Sequence, residues 1–301
     1  MAAHDRPGRR GPSSQHPLTP SSWPTGPVEI PTGTVELHRE PDDPTGVTLL
    51  VNGVPSSHLD LADPTRLAFE YMQQMAAVID RLDRPGDGLS AVHLGAAGCA
   101  LARYVHATRP MSRQVAIELD AALPELVRTW FDLPRAPALR IRAGDARRAL
   151  ATLADASADV VLRDVFAGDR TPDHVVTLEF TQDVARVLRP GGVYLANCAD
   201  RPPLTRARAE SATLMAVFRH VAVIAEPGQL KGRRYGNLVL VGTDDPAVVT
   251  SAVLERALRS LPQPARLLHD DDVTAFVGTA GALLDPASTE PTSARQPRIA
   301  P

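Results

Sequence analysis

Residues 91–120 read AVHLGAAGCALARYVHATRPMSRQVAIELD, and the fold turns on this stretch. An apolar run (Ala91, Val92, Leu94) meets a turn carrying Gly95 and Gly98. A helix-like segment follows, then a second apolar run (Val115, Ala116, Ile117) that ends in Glu118 and Asp120. Strand, glycine turn, helix and acid-tipped strand form the unit that lays a nucleotide on a backbone turn and offers carboxylates to its ribose hydroxyls. Glycine suits such a turn because a Cβ would hold the backbone away from the ligand. The acids lie roughly twenty residues beyond the turn, at the end of the second strand, where open α/β sheets bind ligands. Only Gly95 and Gly98 remain of the usual glycine set, so the turn gains its meaning from its pairing with Glu118.

Downstream the alternation continues. After the strand at 91–94, apolar strands are predicted at 114–118, 138–142, 159–164, 192–198, 219–225 and 236–241, with helices near 99–108, 121–130, 145–154, 177–188 and 204–217. Strands separated by helices of this length imply a mostly parallel, doubly wound α/β sheet covered on both faces. The last two strands, joined only by the polar residues 226–235, predict an antiparallel hairpin at the sheet edge. Upstream, residues 34–38 and 47–51 read as strands, and Asn52-Gly53 is a strong hairpin signal. Asp63-Pro64 then predicts a helix through about residue 82, closed by the turn at 84–88. Residues 1–30 and 285–301, rich in Pro and Ser without apolar periodicity, read as disordered. The expected organisation is thus a small β-hairpin element at 31–60 followed by one α/β domain at 61–280.

A chain of 301 residues with 44% hydrophobic and 22% charged residues can bury a large core and is ordinary for a soluble protein. Its net charge of −3 argues against a general nucleic-acid or anionic-membrane binder. Cys99 and Cys198 sit in apolar contexts and read as reduced, buried thiols. With no apolar run of membrane length and no signal core, the expected location is cytoplasmic.

Taken in order, these pieces resemble the spermidine/spermine synthase (polyamine aminopropyltransferase) family, whose sheet is that of the S-adenosylmethionine-dependent methyltransferases. The likeness runs from about residue 35 to residue 243. Val51-Asn52-Gly53 falls on the family's Leu-Asp-Gly turn, and Gly95-Ala96-Ala97-Gly98-Cys99 on its Gly-Gly-Gly-Asp-Gly turn. Ile117-Glu118-Leu119-Asp120 matches a Glu-Ile-Asp motif, and Ala143-Gly144-Asp145-Ala146 matches a Gly-Asp-Gly/Ala motif. The strand 159–164 ends in Asp164, where the family has its catalytic aspartate. The resemblance implies a class I methyltransferase-like Rossmann fold and a donor that is S-adenosylmethionine or its decarboxylated form, with no metal. It implies that Gly95, Gly98, Glu118, Asp120, Asp145 and Ala146 bind the donor's nucleoside, and that a small amine, or a methyl acceptor, is the second substrate.

The residues support this independently. Glu118, Asp145 and Asp164 each end a predicted strand on one edge of a parallel sheet. Three carboxylates there could hold two hydroxyls and an exocyclic amine, and leave one acid for chemistry. An attacking amine is protonated at neutral pH, so a carboxylate must attract it and take its proton. Asp164 is the candidate.

The acceptor half departs from the family. Gly98 stands where the family has an aspartate on the donor's amine. The family's Tyr-Gln-Glu falls on Phe69-Glu70-Tyr71, which removes a tyrosine hydroxyl from its place, and Ser56 replaces a glutamine. Asp169 is an offset counterpart of a second aspartate, and Tyr235 lies near the position of a later tyrosine. Tyr71, Asp169 and Tyr235 are therefore the acceptor candidates. Plainer roles stand beside these: Asp145 as a helix cap, Glu118 and Asp120 as a solvated strand end, and His93 as a core residue. Asp173 and His174 read as solvated loop charges, and His269-Asp270-Asp271-Asp272 as an acidic loop without metal-ligand spacing. Two other functions share the fold: a methyltransferase of unknown acceptor, and a non-catalytic nucleoside-binding relative. The N-terminal hairpin could pair with a second copy in a homodimer.

Overall fold

The computed structural model describes residues 23–82, 88–168 and 170–286. Most of the two terminal segments read as disordered, most of the turn at 84–88, and Asp169 lie outside the described residues. The first four strands are β1 (Val28–Ile30), β2 (Gly33–Glu40), β3 (Asp43–Val51) and β4 (Val54–Asp60), in an antiparallel sheet of that order. Asn52 and Gly53, with φ of 52° and 75°, make the tight turn between β3 and β4. The sheet has four strands where the sequence predicts a hairpin, and Val35, Val47, Leu49 and Leu59 on it are all buried.

Helix α1 (Glu70–Ile79) begins seven residues later than predicted. The cause is local: the Asp60 carboxylate accepts from the amides of Ala62 and Asp63, and that of Asp63 accepts from the Thr65 amide and hydroxyl. Such side-chain bonds hold residues 60–66 in turns at the expense of helix.

The second sheet follows, interleaved with helices. Its first part comprises β5 (Ser90–Leu94), α2 (Ala100–Thr108), β6 (Arg113–Glu118), α3 (Leu123–Trp130), β7 (Leu139–Ala143), α4 (Ala146–Leu150) and β8 (Ala158–Arg163). It continues with α5 (Leu178–Val187), β9 (Leu188–Asp200), α6 (Thr205–Met215), β10 (His220–Ala225), α7 (Pro227–Leu230) and β11 (Gly236–Thr243). The described chain closes with α8 (Pro246–Val249), α9 (Ala252–Arg259), β12 (Arg266–His269) and α10 (Asp271–Val277).

The strand order is β12-β10-β11-β9-β8-β5-β6-β7. Strands β9, β8, β5, β6 and β7 pair in parallel, and β11 lies antiparallel between β9 and β10. The predicted β10–β11 hairpin is present but is not the edge, because β12 adds antiparallel outside β10. The sequence reading contains none of α8, α9, β12 or α10.

Alternating side chains of the central strands feed two cores, one on each face. Ala91, Val160, Val193 and Leu195 pack toward one layer, with α1 and α2. Val92, Val161, Tyr194 and Ala196 pack toward the other, with α5 and α6. Burying each such aliphatic side chain stabilises the fold by about 1.5–3 kcal/mol. Among the described residues, no helix is long and apolar enough to cross a membrane. From β5 the chain runs to one side through β6 and β7, then returns across to β8, so order reverses between β5 and β8. Open α/β sheets bind ligands at such a reversal.

Candidate active site

The C-terminal ends of β5 and β8 meet at the site. Asp164 N donates to Leu94 O at 2.8 Å, and Gly95 N donates to Ile117 O at 3.0 Å. Gly95 has a φ of +85°, and a Cβ built there would lie 2.1 Å from the Asp164 carbonyl oxygen. Only glycine satisfies both the left-handed backbone and the contact. The chain then turns through Ala97 and Cys99, both at positive φ, into α2.

Glu118, at the end of β6, turns its carboxylate onto this turn. One oxygen accepts from the amides of Ala96 (3.2 Å) and Ala97 (2.9 Å), and the other from the Asp120 amide (3.1 Å). An ionised carboxylate only accepts, so Glu118 is matched to a pair of hydroxyl donors. Asp120 is placed differently. Its carboxylate is buried and takes the amide and hydroxyl of Thr32 at 2.9 and 2.8 Å, and the amides of Ala122 and Leu123. Burial would raise its carboxyl, but these donors hold it below the usual range. Asp120 does not line the cavity; it ties the β1–β2 turn to the start of α3, which corrects its reading as a nucleoside ligand.

Asp145 caps α4, accepting from Arg148 N at 2.9 Å, and its second oxygen meets His174 Nε2 at 2.8 Å. Burial works to raise its carboxyl, and the Arg148 amide with His174 outweighs this and lowers it. Asp145 and Ala146 both line the cavity, so capping α4 does not remove Asp145 from it. His174 belongs to the site as the partner of Asp145, whereas Asp173 is exposed and pairs with Arg206.

Asp164 is half-buried at the cavity wall, enclosed by three elements. Tyr71 Oη donates to its Oδ2 at 2.8 Å, and Asn197 Nδ2 donates to its Oδ1 at 2.9 Å. Burial raises its carboxyl above the usual range, against the lowering effect of Asn197, Tyr71 and the neighbouring Arg163. A carboxylate so raised is a better proton acceptor near neutral pH. The tyrosine hydroxyl that the sequence alignment removes is therefore present, supplied two positions later by Tyr71 in α1. Burial and the adjacent Asp164 charge keep that phenol protonated, its pKa well above normal.

Beside Tyr71, Glu70 accepts from Asn237 Nδ2 of β11 at 3.1 Å, and Tyr235 stands exposed at the rim with the Arg201 guanidinium 5.8 Å from its ring centre. Gly98 does not line the cavity. Its amide donates to Ser57 Oγ at 3.0 Å, and a Cβ there would come within 2.8 Å of Ser57 and Leu59 on β4. The aspartate of the resembled family has no room at this position. His93 is buried against Gln114 at 2.8 Å, and burial pushes it down to about 4, so it is neutral as a core histidine should be.

Together these elements enclose a cavity of about 700 Å³. Four carboxylates line it (Glu70, Glu118, Asp145 and Asp164), and among the described residues neither arginine nor lysine does. No group of three or more His, Cys, Asp or Glu residues suited to a metal ion occurs among the described residues.

Several residues escape the sequence reading. Asn197 sits in the buried middle of β9, and its amide oxygen has no hydrogen-bond partner. Leaving such a group unpaired costs about 1–3 kcal/mol. Beneath it, fully buried Arg163 pairs with Glu210 of α6 at 2.6 Å and donates to Asn197 O at 2.9 Å. A polar residue inside each apolar strand, Arg163 in DVVLRD and Asn197 in VYLANCA, was the available signal.

No protein-family model matches the chain. A crystal structure described as a probable spermidine synthase from Corynebacterium glutamicum is 42% identical, with a TM-score of 0.82 over 88% of this chain and 98% of that one. The polyamine aminopropyltransferase of Chromobacterium violaceum is 28% identical over 142 residues, 47% of this chain and 53% of that protein. Human methyltransferase-like protein 13, in complex with SAH, is 26% identical with a TM-score of 0.50, over 63% of this chain and 92% of that one. The matched segment spans about half the length of that curated aminopropyltransferase. It spans 23% of the bovine eEF1A lysine and N-terminal methyltransferase.

Proposed function

The chain belongs to the spermidine synthase family, and from that premise we propose that it moves an aminopropyl group from decarboxylated S-adenosylmethionine to a small amine. The observation that carries this reading is the charge of the cavity, which among the described residues is lined by four carboxylates and by no arginine or lysine. A decarboxylated donor brings a sulfonium and an ammonium, both cations. S-adenosylmethionine itself would bring an α-carboxylate into an acidic site of reduced dielectric, where like-charge repulsion is stronger than in water.

The assigned roles follow the geometry. Glu118 takes the ribose hydroxyls, displacing its bonds to Ala96 and Ala97. Asp145 and the main chain at Ala146 face the adenine edge. Asp164 draws in the acceptor ammonium and takes its proton, with Tyr71 and Asn197 fixing the carboxylate. Tyr235 is proposed to meet the acceptor from the rim, and Asp169, outside the described residues, stays an acceptor candidate from the sequence alone.

We propose a cytoplasmic location, with which the two free, buried thiols Cys99 and Cys198 are in keeping. The N-terminal sheet, with an outer strand at each side, supports a homodimer.

The test is direct. Purified protein given decarboxylated S-adenosylmethionine and 1,4-diaminobutane is expected to release methylthioadenosine and an aminopropylated amine. Absence of methylthioadenosine across a panel of linear amines, or methyl transfer from S-adenosylmethionine to an acceptor, would overturn the reading.

A further inference from the structure

Asn197 has a job that holding Asp164 does not exhaust. A carboxylate can only accept, so the Asn197 amide must turn its NH2 toward Asp164 and its carbonyl oxygen away. That oxygen is buried, has no partner, and belongs to a residue that lines the cavity beside Asp164. The side chain is only 1% exposed and lies in the middle of a paired strand, which leaves it little freedom to find another donor. A buried oxygen kept unpaired at a reaction centre is suited to a ligand donor.

We infer that Asn197 Oδ1 accepts an N–H of the attacking amine, so that Asp164 and Asn197 together select a primary amine; the inference rests on the aminopropyl-transfer reading of this site. The nitrogen has four directions at the moment of attack. One is its own carbon chain, and one is the donor carbon. The other two meet Asp164 and Asn197. In a primary amine both carry hydrogen, and both protein oxygens are satisfied. In an N-methylated amine one carries a methyl group, which presses on a buried oxygen and leaves it unpaired.

Asp164 takes one proton from R–NH3+, and the freed lone pair forms the new N–C bond. The C–S bond breaks, its electron pair stays on sulfur as the neutral thioether, and the proton leaves through Asp164 to solvent. The product R–NH2+–R′ keeps two N–H groups, again one for each protein oxygen. Asn197 thereby touches the reacting nitrogen and sets specificity through it.

The experiment compares kcat/KM for 1,4-diaminobutane and N,N′-dimethyl-1,4-diaminobutane, with decarboxylated S-adenosylmethionine as donor, in the wild-type protein and in Asn197→Ala. Thermal melting and methylthioadenosine affinity serve as controls for folding, and Asn197→Leu carries the test should the alanine variant fail to fold. The primary diamine is expected to lead by at least about tenfold in the wild type, and the lead is expected to shrink severalfold in the variant. A variant that merely disturbed Asp164 would slow both amines equally and keep the ratio. An unchanged ratio, or no preference in the wild type, overturns the inference while leaving aminopropyl transfer standing. If the wild type turns over neither amine, the transfer reading fails and the inference falls with it.

Discussion

Asp164→Asn is expected to lower kcat by about 10²- to 10⁴-fold while methylthioadenosine binds with unchanged affinity. The proposed nucleoside contacts come from Gly95, Glu118 and Asp145, and none passes through the Asp164 side chain. What the substitution removes is the one carboxylate placed to take the amine's proton, held by Tyr71 at 2.8 Å and Asn197 at 2.9 Å. The sign of the pH dependence follows from burial, which raises this carboxyl above the usual range. Asp164 must be ionised to act, so wild-type kcat/KM falls as pH drops through that raised value. Its acid limb therefore lies at higher pH than an exposed aspartate would give. Linkage runs the other way for folding: the native state holds this proton more tightly than the unfolded chain. The group's contribution to stability is complete at low pH and is lost as pH rises through the folded value. Steady-state rates from pH 5 to 9, with parallel calorimetry of methylthioadenosine binding, check both parts. Retained turnover in Asp164→Asn would remove the residue from the chemistry.

Gly95→Ala is expected to do broader damage, weakening methylthioadenosine binding by at least about 100-fold and lowering the melting temperature together. Two independent costs combine. The φ of +85° is left-handed, where a side chain costs about 1–2 kcal/mol. The added Cβ would also stand 2.1 Å from the Asp164 carbonyl oxygen, so main chain must move. The same displacement separates the turn amides from Glu118 and shifts Asp164 from Tyr71. A rigid strand end cannot absorb it as a flexible side chain could. Differential scanning calorimetry and titration of the same preparation test the coupling; a variant that melts as the wild type does and binds methylthioadenosine normally would refute it.

The central strands and the three strand-end carboxylates were legible because both follow from short-range pattern. Apolar runs such as AVHL and DVVL announce a buried parallel sheet, and an acid at the end of such a run falls at the ligand-binding edge. What the sequence hid depends on distance or register. Tyr71 lies two positions beyond its place in the alignment, yet its hydroxyl reaches Asp164 across 93 residues of chain, a contact that no local pattern reveals. Gly98 reads as a ligand-binding glycine until β4 is seen to fill its space with Ser57 and Leu59. Asp120 shares a motif with Glu118, but it lies beyond the end of β6, where its carboxylate is taken up by Thr32 and by the amides of Ala122 and Leu123. Asn197 shows in the sequence only as a polar residue inside an apolar strand: nothing in VYLANCA tells a structural amide from one with an unpaired oxygen beside Asp164. The segment at 244–277 went unread because its helices are short, four to eight residues each, and its strand spans four residues.

Isothermal titration with methylthioadenosine, S-adenosylhomocysteine and decarboxylated S-adenosylmethionine, run side by side on one preparation, tests the central claim that an acidic cavity reads a decarboxylated donor. The account predicts that methylthioadenosine and the decarboxylated donor bind at least about tenfold more tightly than S-adenosylhomocysteine, whose carboxylate finds no arginine or lysine among the described lining residues. Equal or tighter binding of S-adenosylhomocysteine would contradict it.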